Sequence, residues 1–233
     1  MGLDMNPLAK PKGGHEAEFA LLWRDLNIAD GKLPETDAPR PPRRGFWATL
    51  LLGPRKPVDR SAMLARFQAI SDPHWSLLGA PIIGQDAEAD AWVNDLWSRG
   101  MLGPGDRTAA AAIQRLAGTH VLELLPDCDG FPFWRGSSGD RCSLRGEILT
   151  ACEGIVPADL IGRAWEPMQD EQLAGWGRDL RAALDAARAQ HGILVGGPEA
   201  ELATPEGQAG AVDCAARWAS FWSARGHGSE PDY

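Results

Sequence analysis

The 233-residue sequence has a single tyrosine, Tyr233, and only four lysines, none beyond Lys56. Its longest apolar run is Phe46-Trp47-Ala48-Thr49-Leu50-Leu51-Leu52, far short of the roughly 20 residues that cross a bilayer, so no membrane partner is expected. The opening Met1-Gly2-Leu3-Asp4 lacks the basic start and apolar core of a signal peptide. It also lacks the downstream Ser or Thr of a myristoylation signal. A cytoplasmic setting follows. The four cysteines, Cys128, Cys142, Cys152 and Cys214, form no C-x-x-C pair, which excludes a zinc-ribbon or thioredoxin-like motif. In a reducing compartment they are expected as free thiols that pack as small hydrophobes. The chain carries no G-x-G-x-x-G, no G-x-S-x-G, no H-E-x-x-H and no P-loop, and no two of its histidines have ligand spacing. No cofactor is expected.

The composition is that of a globular chain, with 44% hydrophobic and 24% charged residues, and its length is sufficient to bury a core without disulfides. The formal charge is −9, which opposes binding by phosphate neutralisation. The charge is uneven: residues 1–60 carry +2 and residues 61–233 carry −11. A basic cluster at Arg40, Arg43, Arg44, Arg55 and Lys56 falls in a proline-rich stretch. Against the acidic remainder it does not make a nucleic-acid binder, and no nucleic-acid partner is expected.

Hydrophobic periodicity points to helices. Phe19, Leu22, Trp23 and Leu26 make one stripe; Ala89, Trp92, Val93, Leu96 and Trp97 make another behind an acidic first turn. Ser61 is read as the cap of a helix through Leu64, Phe67 and Ile70, and Asp106 as the cap of one through Ala110, Ile113 and Leu116. Ser143 is read as the start of a helix through Cys152, and Pro157 as the opening of a short one. A long helix is expected over about Asp170–His191. Thr204-Pro205 is an N-cap followed by proline at the first helical position. Thr119–Leu125 fits a strand or a helical extension.

The sum is a mainly α fold: one helical domain of about seven or eight helices, irregular loops and at most a few short strands. The alternative is an α+β fold with a small sheet that includes 119–125. The expected organisation is an extended lead-in over 1–14, a helical domain over 15–223 with a proline-rich irregular segment at 31–58 and a turn-rich loop at 126–142, and a polar tail at 224–233.

Ten tryptophans stand beside six phenylalanines and one tyrosine. Trp23, Trp92, Trp97, Trp176, Trp218 and Trp222 fall on helical stripes and read as core. Trp47, Trp75 and Trp134 lie in turn-rich segments beside polar or cationic residues, where aromatics serve as binding anchors.

Residues 120–153 hold the densest set of chemically useful side chains. His120, Asp127, Asp129 and Cys142 are the catalytic candidates. Cys142 follows Arg141 and precedes the expected helix start, a setting that lowers a thiol pKa, with His120 or His74 as the base. Cys128, between two carboxylates, is the weaker nucleophile. A metal reading would use His120, Glu123, Asp127 and Asp129. It requires 119–125 to be helical, because a strand sends His120 and Glu123 to opposite faces. The loop Arg135-Gly136-Ser137-Ser138-Gly139-Asp140-Arg141 offers backbone amides and two guanidinium groups to an anion. The ligand-binding candidates are thus Trp134, Arg135, Arg141 and Trp75.

Two classes of function fit these features. The first is a non-catalytic binding or interaction protein (accessory, immunity or adaptor), for which a protein partner is favoured over a small molecule. The second is an enzyme acting on a small polar or anionic substrate with its site in 120–153.

Overall fold

The computed structural model describes residues 2–34, 59–102, 105–125, 142–197 and 200–232. The described residues form five short strands: β1 (Asp4–Pro7), β2 (Lys10–Pro11), β3 (Ser71–Asp72), β4 (Leu144–Arg145) and β5 (Ser229–Asp232). The α-helices described are α1 (Glu16–Ala29), α2 (Arg60–Ala69), α3 (His74–Leu77), α4 (Ala87–Ser98), α5 (Ala109–Leu116), α6 (Ala158–Arg163), α7 (Asp170–His191) and α8 (Pro205–Ser223). Two 3-10 segments cover Leu122–Leu124 and Gly146–Cys152. The fold is mainly α with a few short strands. The chain divides into two compact units: Ala9–Asp72, and Met1–Leu8 together with Pro73–Tyr233. Among the described residues no helix is long and apolar enough to cross a membrane.

Among the described residues of the smaller unit, α1 and α2 lie with β2 and β3, which pair antiparallel. Phe19 of α1 stacks on Phe67 of α2 with centroids 4.7 Å apart. Two bidentate ion pairs flank that contact, Arg66 on Glu18 and Arg60 on Asp30. The Arg66 guanidinium holds the Glu18 carboxyl down at about 2. The cap of α2 is Asp59, whose side chain accepts from the Ser61 and Ala62 amides. Ser61 lies inside the helix, not at its cap.

The larger unit is organised on α7 and α8. Leu173, Trp176, Leu180 and Leu184 of α7 are fully buried against Val212, Ala215, Trp218, Ala219 and Trp222 of α8. Each of these leucines contributes about 2 kcal/mol by leaving water. The two helices approach closely at Gly177, where an added Cβ would meet the Ala219 methyl at 2.9 Å. The bounds of α7 agree with the expected ones, and Thr204 caps α8 by accepting from the Gly207 amide. A second, smaller core lies under α4 and α5, built on Ile83, Ala89, Val93, Ala112 and Val121.

The sheet order is β4-β1-β5, all antiparallel. Met5 pairs with Leu144 on one side and Pro231 on the other, and Pro7 pairs with Ser229. Alternation buries Met5 and Pro7 while Asp4 and Asn6 lean outward, as a half-buried strand requires. The lead-in is therefore a central strand. The residues read as a polar tail are the opposite of frayed: β5 is paired, and His227 and Ser229 are fully buried.

Four local expectations are corrected. Ser143 starts no helix; it is fully buried, and the chain continues as β4 and then a 3-10 segment. Thr108 caps α5, while Asp106 instead accepts from Arg115. Residues 119–125 join neither sheet: His120 makes an isolated bridge to Ile82, and a single 3-10 turn follows. Trp97 is exposed, although it shares a stripe with buried Val93, and its indole N–H donates to the Asp106 carbonyl at 3.2 Å.

Candidate functional site

The structure brings together a set of aromatic and imidazole rings in the larger unit. It begins at α3, a single helical turn. Proline at position 73 stands just before it, and the Ser76 hydroxyl closes it by donating to the Pro73 carbonyl at 2.7 Å. One turn sends neighbouring side chains in divergent directions. His74 goes inward and is 7% exposed; Trp75 stays outside at 36%. Their rings meet edge to face at 4.7 Å. Trp75 also lies 6.4 Å from the ring of His120. That imidazole is half-buried, with Nδ1 3.3 Å from the Ala80 carbonyl. Leu77, at the end of the turn, is exposed.

Inward, His74 meets the indole of Trp222 edge to face at 5.5 Å, and Trp222 meets His227 in the same way at the same distance. Trp222 is brought there by α8, one helical turn beyond Trp218. His227 Nδ1 donates to the Leu8 carbonyl at 2.7 Å. Because a carbonyl only accepts, that nitrogen carries the proton of the bond. His74 Nε2 is fully buried and has no hydrogen-bond partner. The Leu8 amide donates to the Gly228 carbonyl at 2.9 Å, which closes the corner where β1 leaves the sheet.

The electrostatics follow from burial. Desolvation is the main effect on His74, and the electrostatic influence of nearby His227 adds to it; together they push its pKa down to about 4 against the pull of the Pro7 carbonyl. His74 is therefore neutral at neutral pH. Its ring is largely buried and meets Trp75 and Trp222 edge to face.

The candidates read from the sequence are placed as follows. Asp127, Cys128, Asp129, Trp134, Arg135 and Arg141 lie outside the described residues, as do Trp47 and the basic cluster at 40–56. Cys142 is described, and its burial opposes the nucleophile reading: the residue is fully buried two positions before β4, and its carbonyl accepts from the Trp218 indole at 2.7 Å. Cys152 and Cys214 are also buried and free of disulfides. Burial pushes the Cys152 thiol up to about 12. His120 and Glu123, the described half of the metal reading, are separated by the turn: His120 is half-buried on the bridge, and Glu123 is exposed on the 3-10 segment. Among the described residues no group of three His, Cys, Asp or Glu side chains is arranged to hold a metal ion. Trp75 is the sequence candidate that the structure places at a surface, next to His120.

Sequence reasoning missed His227, which it put in a tail, and it gave His74 no role except as a possible base. The available signal was the dipeptide His74-Trp75 directly after Pro73, an imidazole and an indole forced onto one short turn. Comparisons with protein-family models, with curated proteins and with solved structures return no match.

Proposed function

We propose that this chain is a non-catalytic interaction protein that docks a protein partner, with the Trp75 indole as its anchor. The observation that carries the reading is the position of Trp75: a large ring more than one-third exposed, on a one-turn helix whose neighbouring residue is locked into the core. A rigid, partly exposed tryptophan loses little side-chain freedom on binding and is the commonest kind of hot spot. Exposed Leu77 and half-buried His120 extend the contact surface. The net charge of −9 favours a basic partner, since complementary fields speed encounter and reject like-charged competitors. Buried free thiols agree with a cytoplasmic setting.

The test is affinity capture from extracts of the source cell with the wild-type chain and Trp75→Ala side by side, followed by calorimetry on the purified partner. The expected result is a basic partner whose affinity falls at least tenfold, about 1.4 kcal/mol, in Trp75→Ala. A partner whose affinity is indifferent to Trp75 overturns the reading. So does turnover of a small anionic substrate lost in His120→Ala, which would install the enzyme reading in its place.

A further inference from the structure

The α3 turn is attached to the larger unit at few points. Between Pro73 and Gly79 the buried side chain is that of His74; Trp75, Ser76 and Leu77 are exposed, and Leu78 is half-buried against the main core. The backbone bonds of the turn are local. The Ser76 amide and hydroxyl both donate to the Pro73 carbonyl, and the Leu78 amide donates to the Trp75 carbonyl. The turn runs out at Gly79, which takes the left-handed conformation at φ +66°. Its main attachment is therefore the His74 ring, with Leu78 second. Opening these few residues uncovers one imidazole and part of one leucine, whereas opening α7 from α8 uncovers Leu173, Trp176, Leu180, Leu184 and the apolar face opposite. Segments that bury so little open locally at a small fraction of the cost of global unfolding.

That attachment does not tolerate charge. The groups that face the His74 ring are Trp75 from its own turn, Trp222 from α8, His227 from the corner before β5 and the Pro7 carbonyl at the end of β1. Of these His227 titrates, and its influence opposes a positive charge on His74; the Pro7 carbonyl favours one, and no carboxylate acts on the ring. His120, the other nearby imidazole, meets Trp75 at 6.4 Å. A charged His74 would carry a proton on Nε2, a fully buried atom with no hydrogen-bond partner, and such a donor is costly to leave unmatched. Water satisfies it once the turn is out. We propose that α3 is an acid-released latch: protonation of His74 is relieved by the turn swinging into solvent while the α7–α8 core stays folded. As a control on docking this rests on the Trp75 reading above, since the open turn no longer presents the indole in one orientation. The sign follows from linkage. In the open form His74 is an ordinary imidazole near 6.5, and in the closed form it is held at about 4. The open form therefore takes the proton first, and the ratio of open to closed rises by up to tenfold for each pH unit between those values, reaching its maximum toward pH 4.

The experiment is fluorine NMR of the full chain labelled with fluorotryptophan, from about pH 7.5 to about pH 4. The resonances of Trp75, Trp176 and Trp218 are assigned by their loss in Trp75→Phe, Trp176→Phe and Trp218→Phe. A His120→Gln background removes the other imidazole that meets Trp75. The expected result is that the Trp75 resonance moves toward its position in the urea-unfolded chain as pH falls, while those of Trp176 and Trp218 keep their native positions. In the same background His74→Leu should hold the Trp75 resonance still. A Trp75 resonance that stays in place overturns the proposal, as does one that moves only together with Trp176 and Trp218; both outcomes are read without the His74 variant. Movement that survives His74→Leu overturns it as well. No partner enters this test, so the latch stands or falls separately from the docking reading, which the capture with Trp75→Ala decides.

Discussion

The stability of the larger unit should fall steeply in mild acid, because of His74. Unfolded, this histidine has an ordinary pKa near 6.5; folded, burial and the proximity of His227 hold it at about 4. Between those values the unfolded chain binds a proton that the folded chain refuses, so stability rises with pH across the window. The contribution is fully present above about pH 6.5. It is lost as pH falls toward 4, and it is constant below that. A separation of about 2.5 pH units corresponds to about 3 kcal/mol, a large share of the 5–15 kcal/mol by which domains of ordinary size are stable. The geometry agrees with the sign: a charged ring carries a proton on both nitrogens, and Nε2 of His74 is a fully buried atom with no hydrogen-bond partner. The assay is urea unfolding of wild type and His74→Asn at several pH values from about 7.5 to about 4. The asparagine amide is polar and planar like the imidazole but does not titrate. The gap between the two proteins should change by about 3 kcal/mol over the window, with wild type losing more. A gap that stays constant to within about 0.5 kcal/mol would refute the reasoning.

Other consequences can be measured on the same protein. Trp218 donates to the Cys142 carbonyl, whereas the Trp222 indole N–H is buried with no partner; in urea unfolding Trp218→Phe should therefore cost about 1–2 kcal/mol more than Trp222→Phe, the worth of one buried hydrogen bond. In a Cys128→Ser background, a thiol reagent at mildly alkaline pH should find no reactive cysteine in the native protein and three after unfolding, because Cys142, Cys152 and Cys214 are buried. Gly210→Ala would drive a methyl into the Gly196 carbonyl and should destabilise the chain by about 1–3 kcal/mol in the same unfolding assay.

Helices were legible from the sequence wherever a stripe and a terminus signal agreed. The Leu173, Trp176, Leu180, Leu184 series ends at a glycine, and α7 has the expected bounds. Thr204-Pro205 opens α8 for the reason given by its chemistry: an oxygen to accept from the Gly207 amide and a ring that needs no donor of its own. Local signals misled where one polar residue had to stand for a whole terminus. Ser143 looks like a helix cap, but its neighbour Leu144 belongs opposite Met5, and a strand pair made across the length of the chain overrides a local preference. The tail reading of 224–233 failed for the same reason. Ser229-Glu230-Pro231-Asp232 is polar and holds a proline, and it becomes a strand only because β1 is there to pair with it.

The candidate site was less legible than the fold, and the reason is physical. Catalytic and metal motifs are read from spacing along one element, and that reading directed attention to the dense polar stretch at 120–153. The described arrangement is instead assembled from α3, α8, the corner before β5 and the end of β1, each of which supplies one or two groups. No window of sequence contains His74, Trp222 and His227 together. Their meeting depends on β1 lying beside β5, which presents the Leu8 carbonyl to His227. The legible part was Trp75, because an aromatic on a short turn after proline must point somewhere. With its neighbour His74 taken into the core, the outward direction is the one that remains. The same turn thus joins the acid-sensitive interior to the exposed indole. Loss of the His74 contact at low pH should therefore release Trp75 from its fixed orientation before the α7–α8 core itself gives way.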